Sequence, residues 1–562
     1  MKKCISLSLM LAFVLLLTSC AGKFAPSSDY FKVTPEVLVV QGGKIAATID
    51  GTFPAKSVPA KAVVTITPVL KYEGGEALGT PLTVQGAKVK ANNKVIGKEG
   101  GSVSLSTVYT YVPAMSKSEL YLRFTTKIGK KDITIPDIKV ADGVIATEML
   151  TNAASAKPIA SKDKFQRVIQ EAQEASILFL IQQSKLRNSE LSSAPVKDLT
   201  GKIVESGSNA NKKITSIELA SFASPDGSIS LNEKLAGDRE KTTLGFLNKT
   251  IKGANLTTPV DAHFTAEDWD GFQQLVNASS MQDKELILRV LAMYQDPEKR
   301  EQEIKNLSAV YKNLAEEILP QLRRSKLKIT MDVIGKSDEE LKNSALNNPS
   351  SLSIEELLYA GNLVSSSAEK ESIYKKATEL FPSDYRGFNN LGVVQFTTGR
   401  MAQAKTSFDK AYSLNKSSEV SGNLALVALA TGSDDTTVNS YLGGAAGSEG
   451  LKEAQGILYL KQGQYAKAVT SFGDLKTNNA ALAQLLTKDY NKAKTTLDAV
   501  AQPNAETNYL TALVGARTNN KDLVVSGLSA AVKADKSYAK KALNDVEFSK
   551  YLLDASVAAL LK

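Results

Sequence analysis

Thiol and imidazole chemistry is nearly absent from this chain: its 562 residues include two cysteines, one histidine and one tryptophan. Cys4 and Cys20 both fall in the first twenty residues, so nothing after them can form a disulfide, a thiol nucleophile or a thiolate metal site. With His263 alone, no two-histidine metal site fits in one chain, and a Ser-His-Asp triad would hang on that one residue. His263 stands in "PVDAHFTAEDW", ahead of a predicted helix, and is expected to be a loop or packing residue. No cofactor is implied. Dense charge of one sign is missing too: 68 Lys and Arg against 59 Asp and Glu give +9, spread along the chain, which argues against nucleic acid as a partner. In the best basic cluster, Arg323 to Lys328, Leu327, Ile329 and Met331 alternate with Lys326, Lys328 and Thr330, the pattern of a half-buried strand. Glu267, Asp268 and Asp270 around Trp269 lack the glycine and spacing of a calcium loop and read as a helix start, with Thr265 and Asp268 at capping-box spacing. The glycines of "YLGGAAGSEG" are followed by no lysine at Walker spacing, so that segment reads as a linker.

What is present begins at the amino end. Lys2 and Lys3 precede an apolar stretch, Ile5 to Leu17, too short for a permanent membrane helix and suited to a secretory leader. It ends in Leu17-Thr18-Ser19-Cys20, which resembles the processing site of bacterial lipoproteins. That resemblance implies that residues 1–19 are removed and that Cys20 carries acyl chains such as palmitate. Their burial in membrane lipid is worth about 0.8 kcal/mol per methylene, so several chains anchor stably. With Ala21 and Gly22 next and no acidic residue beside the cysteine, the resemblance implies the outer membrane, on its periplasmic face.

Composition divides the rest into an acylated tether (20–29) and three zones, giving a multidomain α+β protein. Residues 30–155 are rich in Val, Thr and Ile with frequent turn signals. In "ELYLRFTTKIGKKDITI", Leu120, Leu122 and Phe124 share one face and "KIGKK" supplies a turn. This predicts an immunoglobulin-like β-sandwich, a spacer or binding module without catalytic residues.

In residues 160–342, "ASILFLIQQSKL" and "ITSIELASFASPDG" read as strands. "LNEKLAGDREKTTLGFLNKTI" reads as an amphipathic helix with Leu231, Leu235, Leu244 and Leu247 near one face. A helical insert is expected at about 261–319, with a helix starting at Asp296-Pro297, before "LRRSKLKITMDVIG" returns as the last strand. Gly227, Asn232, Leu235 and Arg239 stand at the spacing of the OmpA-like domain, and this zone resembles that family, with Ala236 where the family usually has Ser. The resemblance implies an α/β sandwich that grips the diaminopimelate of the peptidoglycan stem peptide through an arginine and an aspartate three residues before the turn glycine. Arg239 matches the arginine; Ser224 holds the aspartate's place, and Asp226 is the nearest carboxylate. A hydroxyl does not replace a carboxylate opposite an ammonium. Spacing leaves two outcomes open: a working stem-peptide site, or a fold kept as scaffold.

From 343 to 562 the chain is helical and repetitive. Phe388, Leu391, Gly392, Gly399, Ala404, Phe408 and Ala411 fall at tetratricopeptide spacing. Gly456, Tyr459, Gly463, Ala468 and Phe472 repeat the offsets, with weaker units before, between and after them. Such repeats stack into a solenoid whose concave face takes a peptide or helix of a protein partner, and they contact mainly their neighbours, so the solenoid is expected to fold without the rest of the chain. The segment "KSYAKKALNDVEFSKYLLDASVAALLK" is expected to cap it as one end helix.

The combination resembles outer-membrane lipoproteins of the Bacteroidetes type that join an OmpA-like domain to tetratricopeptide repeats, where related modules accompany surface export and fimbrial machinery. The function expected is a non-enzymatic envelope scaffold: membrane lipid through acylated Cys20, peptidoglycan through the middle domain, and a protein partner on the repeats. Two alternatives stand beside it, a pure interaction platform with a vestigial wall site, and a carboxylate-only glycan hydrolase.

Overall fold

A computed structural model describes residues 24–562; the leader and Cys20 lie outside the described residues. By contacts the described residues form two compact units, one of 24–162 with Val364–Lys562 and one of Asp163–Leu363. The sheet-rich zone and the repeats thus belong to one unit. That changes the expectation of a solenoid folding alone.

The sheet-rich part contains β1 (Phe31–Thr34), β2 (Val37–Gln41), β3 (Lys44–Phe53), β4 (Ala62–Tyr72), β5 (Gly75–Leu78), β6 (Leu82–Gly86), β7 (Lys94–Ile96), β8 (Gly101–Thr110), β9 (Ser118–Ile128), β10 (Lys131–Thr134) and β11 (Ile138–Ile145). Alternation sets the faces as expected: Leu120, Leu122 and Phe124 of β9 turn inward, as do Ile45, Ala47 and Ile49 of β3. Gly129, with φ +62°, makes the tight β9–β10 turn. The strands do not separate into two sheets. Eight of them follow one hydrogen-bonded path, β1-β3-β2-β11-β9-β4-β6-β7, from which β8 branches on β3, β5 on β4 and β10 on β9; the path is continuous because β2 pairs antiparallel with β3 and parallel with β11. The result is a curled half-barrel around a single core. Phe24 enters that core, edge-on to Phe124 at 6.0 Å, and Ser28–Tyr30 form a 3-10 turn, so residues 24–29 are structure and not free tether.

The second unit holds β12 (Val168–Leu178), α1 (Asn188–Leu191), α2 (Ala194–Ser208), β13 (Lys212–Phe222), α3 (Ile229–Gly253), β14 (Val260–Thr265), α4 (Trp269–Ala278), α5 (Lys284–Met293), α6 (Pro297–Asn306), α7 (Ser308–Glu317), α8 (Leu319–Leu322), β15 (Arg324–Ile334), α9 (Asp338–Asn347) and α10 (Ile354–Leu363). The sheet order is β12-β15-β13-β14, with α2 and α3 packed on one face. The expected last strand is β15. The expected first strand lies earlier than "ASILFLIQQSKL", whose second half follows the strand end. Asp261 does not open the insert. It lies in β14, an edge strand parallel to β13 across the α3 crossover, where Asp261, His263 and Thr265 are exposed; the missing apolar run hid this strand. The helical segment is Trp269–Leu322, with its own small core around Phe272, Ile287, Leu314 and Leu322. Its first cap is Asp268 alone, accepting from Gly271 N–H at 2.8 Å, and Asp296 caps α6 at 2.9 Å. The unit continues past residue 342 to Leu363.

The repeats are α11 (Ser367–Leu380), then pairs α12 (Tyr385–Thr397) and α13 (Met401–Leu414), α14 (Ser418–Thr431) and α15 (Asp435–Gly444), α16 (Gly450–Lys461) and α17 (Tyr465–Phe472), α18 (Asn478–Leu486) and α19 (Tyr490–Asp498), α20 (Ala505–Arg517) and α21 (Lys521–Ala534). The "YLGG" read as linker is the last turn of α15. The end is broken into α22 (Ser537–Leu543), a 3-10 turn at Val546–Tyr551 and α23 (Ala555–Leu560). Gly392 and Gly456 have the same role: a Cβ on either would lie 2.6 Å from the ring of Phe408 or Phe472.

Candidate functional site

The loop from β13 to α3 brings the predicted wall residues together. Ser224, Asp226, Gly227, Asn232 and Arg239 line one cavity of about 60 Å3. Asn232 ties the loop down by donating to Gly227 O (2.9 Å) and Glu267 Oε1 (3.2 Å). The helix buries the expected leucine face only in its second half, where Leu247 is in the core and Leu244 packs against it. Its inward row is Asn232, Ala236, Arg239, Thr243, Leu247 and Ile251, while Leu231 is 39% exposed. The polar half of that row sits over hydroxyls: Thr243 donates to Ser325, which bonds Ser221 at 2.7 Å.

Arg239 is 1% exposed and is not an open fork. Its Nε donates to Gln183 O at 3.0 Å, its Nη1 to Phe222 O at 2.8 Å, and its guanidinium lies 5.2 Å from the Phe179 ring centre. Burial first, then the Arg323 charge, pulls Arg239 down to about 10, against the opposing pull of Asp226. Arg323, which the sequence shows only as the start of a basic cluster, completes the site. Its Nε donates to Ser224 Oγ at 3.2 Å and its Nη2 pairs Asp226 Oδ2 at 3.1 Å, while Ser224 also donates to Asp226. A guanidinium of the chain itself therefore occupies the Ser224–Asp226 pair. The cavity that remains is well below the roughly 300–1,000 Å3 of ordinary ligand pockets.

A second arrangement had no counterpart in the sequence reading. After β11 the chain makes 3-10 turns at Thr147–Leu150 and Ala153–Ser155 and then runs extended to Ser161 along the first helices of the repeats. Three buried asparagines each grip both polar groups of one residue in this strap. Asn479 Oδ1 accepts Asn152 N–H at 3.0 Å and its Nδ2 donates to Asn152 O at 2.9 Å. Asn423 does the same to Ile159, both at 2.8 Å, and Asn390 to Ser161 at 2.7 and 3.0 Å. Asn389, one 34-residue period before Asn423, adds a bond to Ile159 O at 3.0 Å. The signal available in the sequence was asparagine recurring on first helices, where it is a poor helix former.

The strap is pinned at its start. Glu148 accepts the consecutive N–H groups of Gly42 (2.8 Å) and Gly43 (2.9 Å), both at positive φ, and the Tyr465 hydroxyl (2.6 Å). Gln41 donates to Gly463 O at 3.0 Å. Gly463 thus serves as repeat turn and as seat for the β2–β3 hairpin, where a Cβ would meet Gln41 Cγ at 2.6 Å.

Glu453 and Glu506 also face the strap, accepting from Lys157 N–H at 3.3 Å and Asn152 Nδ2 at 3.1 Å. Burial raises both carboxyls above the usual range, opposed by those bonds. A raised folded-state value means the fold holds the proton more tightly than the unfolded chain does. The contribution is therefore complete below the ordinary glutamate value and is lost as pH rises through the raised one. Glu453→Gln is expected to raise the melting temperature at pH 7.5 and leave it unchanged at pH 4, measured by differential scanning fluorimetry; a lower melting temperature at pH 7.5 would contradict this.

The tetratricopeptide repeat family model matches residues 385–418, covering α12 and α13. No curated protein matches the chain. Among solved structures, a tetratricopeptide repeat protein from Parabacteroides merdae is 13% identical, covers 40% of this chain and 91% of its own, and has a TM-score of 0.29. Pseudomonas aeruginosa pilF is 15% identical over 38% of this chain and 98% of its own, TM-score 0.25. The repeats are thus tetratricopeptide-like and point to protein interaction.

Proposed function

We propose that this chain is a non-enzymatic, lipid-anchored scaffold of a bacterial outer membrane, on the periplasmic face, whose repeats engage a protein partner and whose OmpA-like middle unit is retained as a scaffold. The observation that carries the interaction reading is the first-helix face holding a length of extended main chain. The Leu17-Thr18-Ser19-Cys20 site supports the anchor. Phe24 in the half-barrel core follows Cys20 by four residues, a reach of at most about 14 Å, so an acylated Cys20 would hold the half-barrel at the membrane surface. The strand, glycine loop and Asn-Arg helix support the OmpA-like reading, and the Arg323–Asp226 pair supports the vestigial form of its site over a working one. Glycan hydrolysis is disfavoured by the acids near the cavity, each of which is committed: Asp268 to Arg324 at 2.8 Å and to its helix cap, Glu267 to Trp269 Nε1 at 2.9 Å.

Fractionation of a Gram-negative host expressing the chain tests the proposal. Wild type is expected in the outer-membrane fraction and Cys20→Ala in the soluble periplasm, with partner crosslinking through the repeats lost in parallel. Equal distribution of the two would remove the anchor from this reading.

A further inference from the structure

The asparagine contacts say what the first-helix face recognises. Asn390, Asn423 and Asn479 read the N–H and C=O of Ser161, Ile159 and Asn152, groups that every residue but proline possesses in full. Recognition is therefore of main chain, not of particular side chains, and after the turn at Ala153–Ser155 that main chain is extended. The side chains the strap buries are small, Ala153, Ala156 and Ser161, with Pro158 beside them. Glu419, Glu453 and Glu506 place three acidic side chains on the face, and the strap's charged residues over 151–162 are Lys157 and Lys162. We propose that the row of first helices is a backbone-reading groove for an extended, neutral-to-basic polypeptide with small side chains, that residues 152–161 are its resident occupant, and that an external partner gains it by displacing this strap.

This deepens the reading of the repeats as a protein-binding element, and it also corrects the expectation that their face is open. The strap has a covalent advantage, since a tethered segment acts at an effective concentration in the millimolar range. A free segment of similar chemistry cannot compete until the strap loosens. The groove is closed at rest.

The test uses the full chain and a fluorescent peptide of residues 150–163. Wild type is expected not to bind it. Ile159→Pro/Ser161→Pro, which removes two of the three N–H groups that the asparagines grip, is expected to bind it, and adding Asn423→Ala is expected to weaken that binding at least about tenfold, the loss of a paired contact to the backbone. A strap variant with native circular dichroism that fails to bind the peptide overturns the proposal, as does wild type binding it equally well. Should the proline variant not fold, Asn390→Ala/Asn423→Ala provides the second arm: amide exchange at Ile159 and Ser161 is expected to rise to loop rates while the repeat helices stay protected. Continued protection of those amides would overturn the proposal too. A failed membrane anchor would move none of these readouts, so the two proposals fail separately.

Discussion

Phe408→Ala is expected to cost about 3–5 kcal/mol of unfolding free energy, the usual range for truncating a buried aromatic. Phe408 has no solvent exposure and its ring lies where the Cβ of any residue but glycine at 392 would stand. The helices of α12 and α13 are that close because Gly392 allows it, so they cannot move in to fill the hole: Ala404 and Ala411 already stand fully buried. Incomplete collapse puts the cost at the upper end. Urea unfolding should place the loss in the transition that also reports on the half-barrel, because the sheet and the repeats share one unit. A loss below about 1 kcal/mol would mean that the repeat register is wrong.

The same contact shows why the repeats were legible. A tetratricopeptide pair is specified by small and large residues at short spacing on two adjacent helices, and Gly392 with Phe408 carries that signal within one window of sequence. Strand alternation is equally local, and β9 and β15 fell where their patterns put them. Pairings that depend on distant residues were not legible. β2 looks like any strand, and only its parallel bond to β11, about a hundred residues on, turns two expected sheets into one curled sheet. The strap is the extreme case. Its composition, "TNAASAKPIAS", is that of a linker, and its partners are asparagines more than two hundred residues away. The first half of helix α3 misled for a different reason: periodicity takes Leu231 and Leu235 as inward, but there the inward face is fixed by hydroxyls and by main-chain carbonyls that need a donor, while Leu244 and Leu247 of the second half do face the core. Arg323 was hidden because it directly precedes β15, so an alternation that begins at Ser325 says nothing of it.

That donor is the ground for the last prediction. Arg239→Ala is expected to destabilise the middle unit by about 3–5 kcal/mol, since Gln183 O and Phe222 O each lose a bond from a charged donor and a cavity is left against Phe179. One term opposes this. Burying a guanidinium beside Arg323 costs desolvation and repulsion, as its lowered value shows, and removing the charge returns that cost. Arg239→Met separates the terms: it keeps most of the volume, removes the charge and still strands both carbonyls, so it should lose less than alanine, about 1–3 kcal/mol. Thermal or urea unfolding of the two variants gives the order. Pelleting with purified peptidoglycan gives the role. With Arg323 on the Ser224–Asp226 pair and Arg239 bonded to main chain, wild type is expected to pellet weakly, and Arg239→Met no differently from wild type. If wild type instead pellets strongly, and Arg239→Met abolishes pelleting while its unfolding midpoint is unchanged, then Arg239 holds the stem peptide and the buried contacts described for it are not what the residue is for.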